Sequence, residues 1–331
     1  MEQSNPISPS ANSIIDILTL RYNTEIDPIL SKLTSNDFTP TNIESSTEFI
    51  KKSIKNTFQN SIDSNCERIA IALSGGIDST LNLALLRETF PNLPISAISM
   101  KFADSVDETP AAAKIAECFG AEHEIIHLDN FLIELPKAIS ITKQPFWDLH
   151  WYHIVKKAKS YSNYLISGDG GDELFAGYTF RYEKFLSLVN QDSSPVERVK
   201  AYLQCHGRDW VEDQSDLFGG KIDFSWEKIQ HSLLPYFDNS LSLIQQVCLA
   251  DYNGKLLYNF SPINSALHEH FDIKSITPLL SNEMISYGTN LETNLKYNEE
   301  NNIGKIPLRN LLVNYIDGNL LTQTKQGFSV N

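Results

Sequence analysis

The amino-acid sequence predicts an α/β protein with a doubly wound, mostly parallel sheet and a mostly helical carboxyl-terminal lobe. Short apolar runs rich in β-branched residues alternate with helical segments between residues 65 and 180, a pattern typical of parallel sheets. Strand signals become rare after about residue 179. Apolar residues make up 41% of the 331 residues, so the chain can form a sizeable core.

The chain is expected to begin with an extension over residues 1–64 that contains one amphipathic helix at about 46–63. Ser45 and Glu48 form a capping-box pattern at the start of this helix. Apolar residues then recur every four positions, which is the spacing of one helix face. Residues 65–180 would form the α/β core, and residues 181–331 would form the helical lobe.

Strands are predicted over residues 68–73, 95–100, 122–128 and 164–167, and helices over 77–90, 107–119, 152–160 and 241–257. The third strand contains His123 and His127 in an HExxH pattern. On a helix, these two side chains could share a zinc ion. Residues four apart on a strand are separated by about 13 Å. We therefore expect a sheet strand here and no zinc site.

The turn after the first strand reads Ser74-Gly75-Gly76-Ile77-Asp78-Ser79. Two glycines allow a sharp turn, and the amides at the start of the following helix favour an anion such as phosphate. A carboxylate would repel a bare phosphate, so Asp78 indicates a cation between them. Mg²⁺ prefers one or two carboxylates together with phosphate oxygens. The GxxxxGK[ST] pattern of P-loop NTPases does not occur in the sequence.

The turn after the fourth strand, residues 167–178, reads SGDGGDELFAGY and contains four glycines and three acidic residues. This composition suits a place where a ligand and a metal ion both approach the main chain. Because the carboxyl ends of parallel strands meet at one edge of a sheet, both turns should lie at that edge.

Charge and cysteine content narrow the function classes. Lysine and arginine number 27 and aspartate and glutamate 41, so the net charge is −14, which argues against nucleic acid as a partner. The sequence has no apolar run long enough to span a membrane and no signal-peptide pattern. The four cysteines form no CxxC pair, as expected of a cytoplasmic protein.

The first turn resembles the PP-loop of ATP pyrophosphatases, and the second is similar to the signature of the asparagine synthetase domain. Residues 99–104, residues 144–148 and the segment Lys325-Gln326-Gly327-Phe328 provide weaker matches. The likeness is strong over residues 65–180 and patchy afterwards. It implies an ATP-binding PP-loop core that uses Mg²⁺ and releases AMP and pyrophosphate.

The resemblance also implies a role for particular residues. Asp78 and Asp172 would bind Mg²⁺. The ATP-binding residues would be Leu73, Ser74, Gly75, Gly76, Asp78, Ser79, Met100, Ser167 and Gly168. Asp169 would help to position or deprotonate the amine, and Lys325 would neutralise charge on the leaving group.

The implied reaction is adenylation of a carboxylate, L-aspartate by family default, followed by attack of ammonia on the acyl-adenylate. Only about 65 residues precede the PP-loop, and Glu2 follows Met1. We therefore expect no glutaminase domain here, and ammonia would come from solution or from a separate glutaminase subunit. A homo-oligomer and a chain truncated after Asn331 are both compatible with the sequence.

The segment that resembles the family's ExRxPFLD element reads KSITPLLS over residues 274–281 and lacks its acidic and basic members. This difference favours a second interpretation, in which the enzyme forms a lactam or amidates another carboxylate. A third interpretation is tRNA adenylation, against which the net charge argues. A fourth is a non-catalytic nucleotide-binding subunit, against which the presence of both metal aspartates argues.

Overall fold

The computed structural model describes residues 10–39, 46–103, 107–145, 150–207 and 214–320. In these residues, five strands form one parallel sheet in the order β3-β2-β1-β4-β5. The strands are β1 (Ile69–Ala72), β2 (Ile95–Phe102), β3 (Glu122–Leu128), β4 (Tyr164–Ile166) and β5 (Lys274–Ile276). The predicted α/β class is therefore confirmed.

Helices precede, connect and follow the strands. They are α1 (Ala11–Leu20), α2 (Thr47–Ser61), α3 (Ile77–Thr89), α4 (Thr109–Cys118), α5 (Leu135–Thr142), α6 (His150–Ala158), α7 (Gly171–Leu174), α8 (Thr179–Leu188), α9 (Pro195–Cys205), α10 (Gln214–Phe218), α11 (Trp226–Leu233), α12 (Leu243–Asp251), α13 (Ser261–His270), α14 (Asn282–Asn290), α15 (Thr293–Lys296) and α16 (Ile306–Leu312). A π-helix, Tyr252–Phe260, joins α12 to α13. None of the described helices combines the length and the apolar character needed to cross a membrane.

The order of the strands explains where a ligand can bind. From β1 the chain proceeds outwards through β2 to β3 and then crosses to β4 on the other side of β1. Ile71 of β1 pairs with both Ala97 of β2 and Ile166 of β4. The crevice where the order reverses, at the carboxyl ends of β1 and β4, is the usual binding place in open parallel sheets.

The described residues divide into two compact units. One unit contains the described residues of Met1–Asn36 and Phe180–Pro262, and the other contains those of Asp37–Thr179 and Ile263–Asn331. The second unit therefore includes the whole sheet and also α14, α15 and α16. The boundaries near residues 64 and 180 remain a prediction.

In the unit that contains the sheet, helices α6 and α13 share an apolar core with the strands. Trp151, Tyr152 and Val155 of α6 pack there with Ile263 and Leu267 of α13, and with residues of β1, β2 and β4. Helices α2, α3 and α16 pack against one another in the same unit. The strands β1 and β4 are fully buried, as their unbroken apolar sequences require.

The unit that contains the described residues of Met1–Asn36 and Phe180–Pro262 buries a charged group. The carboxylate of Asp251, which is 4% exposed, accepts a hydrogen bond from the Tyr202 hydroxyl at 2.8 Å. It also lies 3.5 Å from Arg181 Nη1 and 3.4 Å from His206 Nε2. Burial alone would raise the pKa of Asp251, but these partners outweigh burial and lower it. This cluster explains how an acidic residue is accommodated in the core of this unit.

Two local details differ from the sequence predictions. The side chain that caps α2 is that of Ser46, which accepts from Phe49 N at 3.2 Å, and not that of Ser45, which lies outside the described residues. The helix starts at Thr47, one residue later than predicted, so its N-cap is Ser46. Strand β5 was not predicted, because only three residues take part in it.

The HExxH pattern lies on a strand, as predicted. His123 and His127 belong to β3, whose residues pair in parallel with β2. His123 Nε2 lies 2.9 Å from the hydroxyl of Ser99 on that strand. Burial lowers the pKa of His123, so the neutral imidazole is favoured in this contact.

Candidate active site

The turn after β1 leads directly into α3. Gly75 adopts a φ of 76°, a left-handed conformation that favours glycine, and Gly76 is the N-cap residue of α3. The Ser79 hydroxyl lies 3.3 Å from the Ser74 hydroxyl and donates to the Gly76 carbonyl at 3.2 Å. The turn therefore places two hydroxyl groups at the amino end of a 13-residue helix, an arrangement suited to an anion.

The turn after β4 lies against Asp78 of the first turn, and glycine is required where they meet. A Cβ atom at Gly168 would lie 2.8 Å from Asp78 Cβ, and one at Gly171 would lie 2.5 Å from Asp78 Cγ. A Cβ atom at Gly177 would likewise meet the Asp172 carboxylate. These glycines allow the side chains of both aspartates to lie against the main chain of the second turn.

Lys305 lies between the two aspartates. Its Nζ forms an ion pair with Asp172 Oδ1 at 2.8 Å and a second, closer one with Asp78 Oδ2. The side chain of Lys305 is 9% exposed, that of Asp78 14% and that of Asp172 15%. These charges therefore interact in a poorly solvated place. Burial alone would lower the pKa of Lys305, but the carboxylates of Asp172 and Asp78 outweigh burial and raise it. The ammonium form is therefore strongly favoured.

The backbone holds Lys305 in this position. Lys305 has a φ of 57°, and its N–H donates to the Phe175 carbonyl at 2.8 Å. A left-handed conformation in a residue other than glycine is strained, and such strain is concentrated at functional sites. A Cβ atom at Gly304 would clash with the Ala176 carbonyl. The segment before α16 is thus held against the second turn by main-chain contacts.

Asp169 occupies a separate, half-buried position in the second turn. Its Oδ2 accepts hydrogen bonds from the Ser167 hydroxyl at 2.9 Å and from Asn264 Nδ2 at 3.0 Å. Burial, followed by the charges of Asp78 and Asp172, raises the pKa of Asp169 in spite of these hydrogen bonds. A carboxyl group with a raised pKa is a candidate for proton transfer.

A small pocket opens beside the first turn. It is lined by Leu73, Ser74, Ser99, Met100, Glu108 and Thr109. The Ser99 hydroxyl donates to the Leu73 carbonyl at 2.5 Å, and this bond and the His123 contact together fix the orientation of the Ser99 side chain. The pocket contains Leu73 and Met100, two of the residues predicted to bind ATP, whereas Gly168, also predicted to bind ATP, lies against Asp78 and Ser79.

Asp78 and Asp172 offer two carboxylates to the predicted magnesium ion. Two carboxylates that reach the same ammonium nitrogen can also reach one divalent cation, and Mg²⁺ commonly binds one or two carboxylates together with phosphate oxygens. Within the described ranges, no group of three or more His, Cys, Asp or Glu side chains could hold a metal ion. The residues therefore fit a magnesium ion that arrives with a phosphate ligand.

Sequence reasoning located only part of this constellation. It predicted the convergence of Asp78, Asp172 and the glycine turns, but it missed Lys305 and Asn264. Lys325, to which the cationic role was assigned, lies outside the described residues, as do residues 146–148 of the weaker match. The signal available for Lys305 was its place directly after Gly304 and before a helix that has Pro307 in its first turn.

Comparison with known proteins identifies the family. The sequence model described as asparagine synthase matches residues 53–331. The chain belongs to the asparagine synthase family. It is 31% identical over 137 residues to asparagine synthetase [glutamine-hydrolyzing] 1 of Bacillus subtilis, which is 40% of this chain and 21% of that protein. It is 33% identical over 128 residues to a putative asparagine synthetase [glutamine-hydrolyzing] of Mycobacterium tuberculosis, 37% of this chain and 19% of that protein.

The chain thus spans about a fifth of the length of these curated relatives of the asparagine synthase family. Among solved structures it is similar to NMN synthetase from Francisella tularensis, with 18% identity, a TM-score of 0.30 and coverage of 70% and 98% of the two chains. It is also similar to NH₃-dependent NAD synthetase from Campylobacter jejuni, with 19% identity, a TM-score of 0.31 and coverage of 61% and 90%.

Proposed function

We propose that the chain is an ATP-dependent, AMP-forming ligase that converts a carboxylate into an amide. The observation that carries this proposal is the convergence of Asp78, Asp172 and Lys305 at the carboxyl ends of β1 and β4. Membership in the asparagine synthase family supports a carbon–nitrogen ligase of this kind.

The reaction has two steps. A carboxylate oxygen attacks the α-phosphorus of ATP, the bond to the bridging oxygen breaks, and an acyl-adenylate and pyrophosphate form. The nitrogen of ammonia then attacks the acyl carbon, the bond to AMP breaks, and the surplus proton leaves the nitrogen. Adenylation is needed because a free carboxylate is a poor acyl donor.

The residues contribute charge and position. Asp78 and Asp172 would hold Mg²⁺, which neutralises phosphate charge when bound. The hydroxyls of Ser74 and Ser79 and the amino end of α3 would bind phosphate oxygens, and Lys305 would provide a fixed positive charge for the departing pyrophosphate. Among the described residues, Lys305 is the lysine whose position supports this role, and the same role for Lys325 stays a prediction.

Asp169 would act on the amine. Its raised pKa and its half-buried position beside Asn264 suit a group that accepts a proton from the attacking nitrogen or orients that nitrogen. L-Aspartate as the carboxylate, and ammonia from solution or from a separate glutaminase subunit, are the family defaults that we propose for this chain.

A second candidate function is amidation or lactam formation with a carboxylate other than aspartate. The observation that favours it is the uncharged end of β5, where the Ile276 carbonyl accepts from Ser167 N at 3.1 Å and Leu280 lies against Gly170. Ser281 caps α14 by accepting from Met284 N at 3.3 Å, so its side chain is used structurally.

The test is exchange of labelled pyrophosphate into ATP, with L-aspartate first and a panel of other carboxylates afterwards. We expect one carboxylate to support exchange, and ammonium chloride then to release AMP and the amide. Asp78→Asn should abolish both signals, because the amide cannot replace the charge of the carboxylate. Asp223→Asn is the control, because Asp223 is exposed and pairs with Lys228.

The outcomes separate the candidates. Exchange with aspartate supports the asparagine-forming reaction, and exchange only with another carboxylate supports the second candidate. If no carboxylate gives exchange while ATP still binds with magnesium, the ligase proposal is wrong and a nucleotide-binding role replaces it.

A further inference from the structure

Two buried polar side chains lie side by side between α6 and α13. The ring centroids of Trp151 and His268 are 6.0 Å apart, and the ring planes are tilted by 37°. Trp151 is 6% exposed and His268 is 4% exposed. Within the part of the chain that the structure describes, neither Trp151 Nε1 nor His268 Nε2 has a hydrogen-bond partner. A buried polar atom without a partner costs about 1–3 kcal/mol, so this arrangement calls for a function.

The two atoms have opposite hydrogen-bonding roles. His268 Nδ1 lies 3.2 Å from the Ile273 carbonyl, which can only accept, so the proton is on Nδ1 and Nε2 is an acceptor. Burial lowers the pKa of His268 to about 4, and the ring is therefore neutral near pH 7. Trp151 Nε1 can only donate. A ligand that satisfies both atoms must accept from the indole and donate to the imidazole.

Helix α13 connects this pair to Asp169. Asn264, which donates to Asp169 at 3.0 Å, lies four residues before His268 and so on the same face of the helix. Four residues correspond to a rise of about 6 Å along the axis. Trp151 belongs to an apolar core cluster that includes Ile263, Leu267 and Ile273. The pair is thus shielded from solvent, and His268 lies one helical turn from the residue that binds the carboxyl group proposed to act on the amine.

We propose that Trp151 Nε1 and His268 Nε2 form a subsite for the neutral amine nucleophile, ammonia, one turn of α13 from Asn264, the residue that donates a hydrogen bond to Asp169. Ammonia has one lone pair for the indole N–H and three N–H groups, one of which can bind His268. The ammonium ion has no lone pair and carries a charge that an apolar surrounding disfavours. The inference rests on the proposed function, because amide formation requires a nitrogen nucleophile.

The first experiment needs no turnover. The indole N–H resonance of Trp151 is assigned by its loss in Trp151→Phe and is followed while ammonium chloride is added to the full chain at pH 8.5. Tetramethylammonium chloride at equal ionic strength is the control, because it has no N–H and no lone pair. We expect a saturable shift with ammonium only. Equal behaviour in both salts would mean that the pair binds only structural water, and the proposal would be wrong.

The second experiment measures the amide-forming step. Loss of one neutral hydrogen bond of about 0.5–1.5 kcal/mol predicts that Trp151→Phe and His268→Phe each raise the KM for ammonium about twofold to twelvefold relative to the KM for ATP. The matched control is His153→Phe. Its imidazole Nε2 is also buried without a described partner, but residue 153 points away from residue 151 on α6.

The two experiments fail independently of the proposed function. If no carboxylate supports pyrophosphate exchange, the ligase reaction is wrong, but the resonance titration still decides whether the pair binds ammonia. If exchange occurs and neither variant changes the ratio of the two KM values, the subsite is wrong and the ligase reaction stands.

Discussion

Replacement of Lys305 by methionine is expected to destabilise the protein and to increase its response to magnesium. The ammonium lies 2.8 Å from Asp172 Oδ1 and closer still to Asp78 Oδ2. At an effective dielectric constant of about 20, a pair at 2.8 Å attracts with about 6 kcal/mol. Desolvation offsets part of this energy, and removal of one partner of a buried pair typically costs about 3–5 kcal/mol. We expect a loss of about 3 kcal/mol, because each of the three side chains retains some exposure.

Magnesium should recover part of this loss in the variant. Without the ammonium, Asp78 and Asp172 present two carboxylates with no shared cation, so a divalent ion meets less competition than in the wild type. A site with a Kd of about 1 mM would add about 1.4 kcal/mol of stability in 10 mM Mg²⁺. In the wild type, Lys305 neutralises the same oxygens and the added stability should be smaller.

Urea unfolding followed by circular dichroism, with and without MgCl₂, measures both effects. Lys296→Met is the matched control, because Lys296 is also buried and donates to the Gly288 carbonyl at 2.8 Å, so its loss should not increase the response to magnesium. If Lys305→Met is as stable as the wild type, or if all three proteins respond equally to magnesium, our description of the charge balance is wrong.

Two further predictions concern packing and pH. Gly168→Ala places a Cβ atom 2.8 Å from Asp78 Cβ. It should lower the free energy of unfolding by about 1–3 kcal/mol and weaken ATP binding as measured by calorimetry. The control Gly220→Ala has nothing within 4 Å of its new Cβ and should do neither. The pKa of His268 is about 4 in the folded state and about 6.5 in the unfolded state. The stability that the protein gains with a neutral, buried His268 is therefore fully present above about pH 6.5 and is lost as the pH falls towards 4. Between pH 7.5 and 4, the free energy of unfolding of the wild type, measured in urea titrations, should therefore fall by about 3 kcal/mol more than that of His268→Phe. An equal fall in both proteins would contradict the lowered pKa of His268.

The parts of the fold that the sequence predicted are those with a strong local pattern. Strands β1 and β4 are buried on both faces and therefore have continuous apolar sequences. The glycines of the two turns are visible because no other residue fits there. By contrast, β5 is three residues long with two exposed positions, and its pairing with β4 depends on a tertiary contact that leaves no periodic signal.

In the candidate site, too, the residues that could be predicted are those that follow a strong local sequence pattern. Asp78 and Asp172 follow strands that the sequence reveals, so the meeting of strand ends at one edge brings them together. Lys305 and Asn264 reach the site from helices far along the chain, α16 and α13. The glycine before Lys305 and the proline after it mark a turn at the start of α16, but no sequence pattern shows that this turn, or Asn264, packs against the second turn.

The position of Lys305 bears on how the site would accept a nucleotide. Its Nζ already lies at hydrogen-bonding distance from both carboxylates, so a divalent cation that binds the same oxygens must compete with it for them. Phosphate oxygens that arrive with the cation are the natural new partners of the ammonium. We expect each ionic group to have an opposite charge nearby both before and after nucleotide binds. We therefore expect Lys305→Met to bind ATP more weakly, because the phosphates lose the ammonium as a partner. We expect the same variant to bind magnesium alone more tightly. Calorimetry with each ligand separately can measure the two changes.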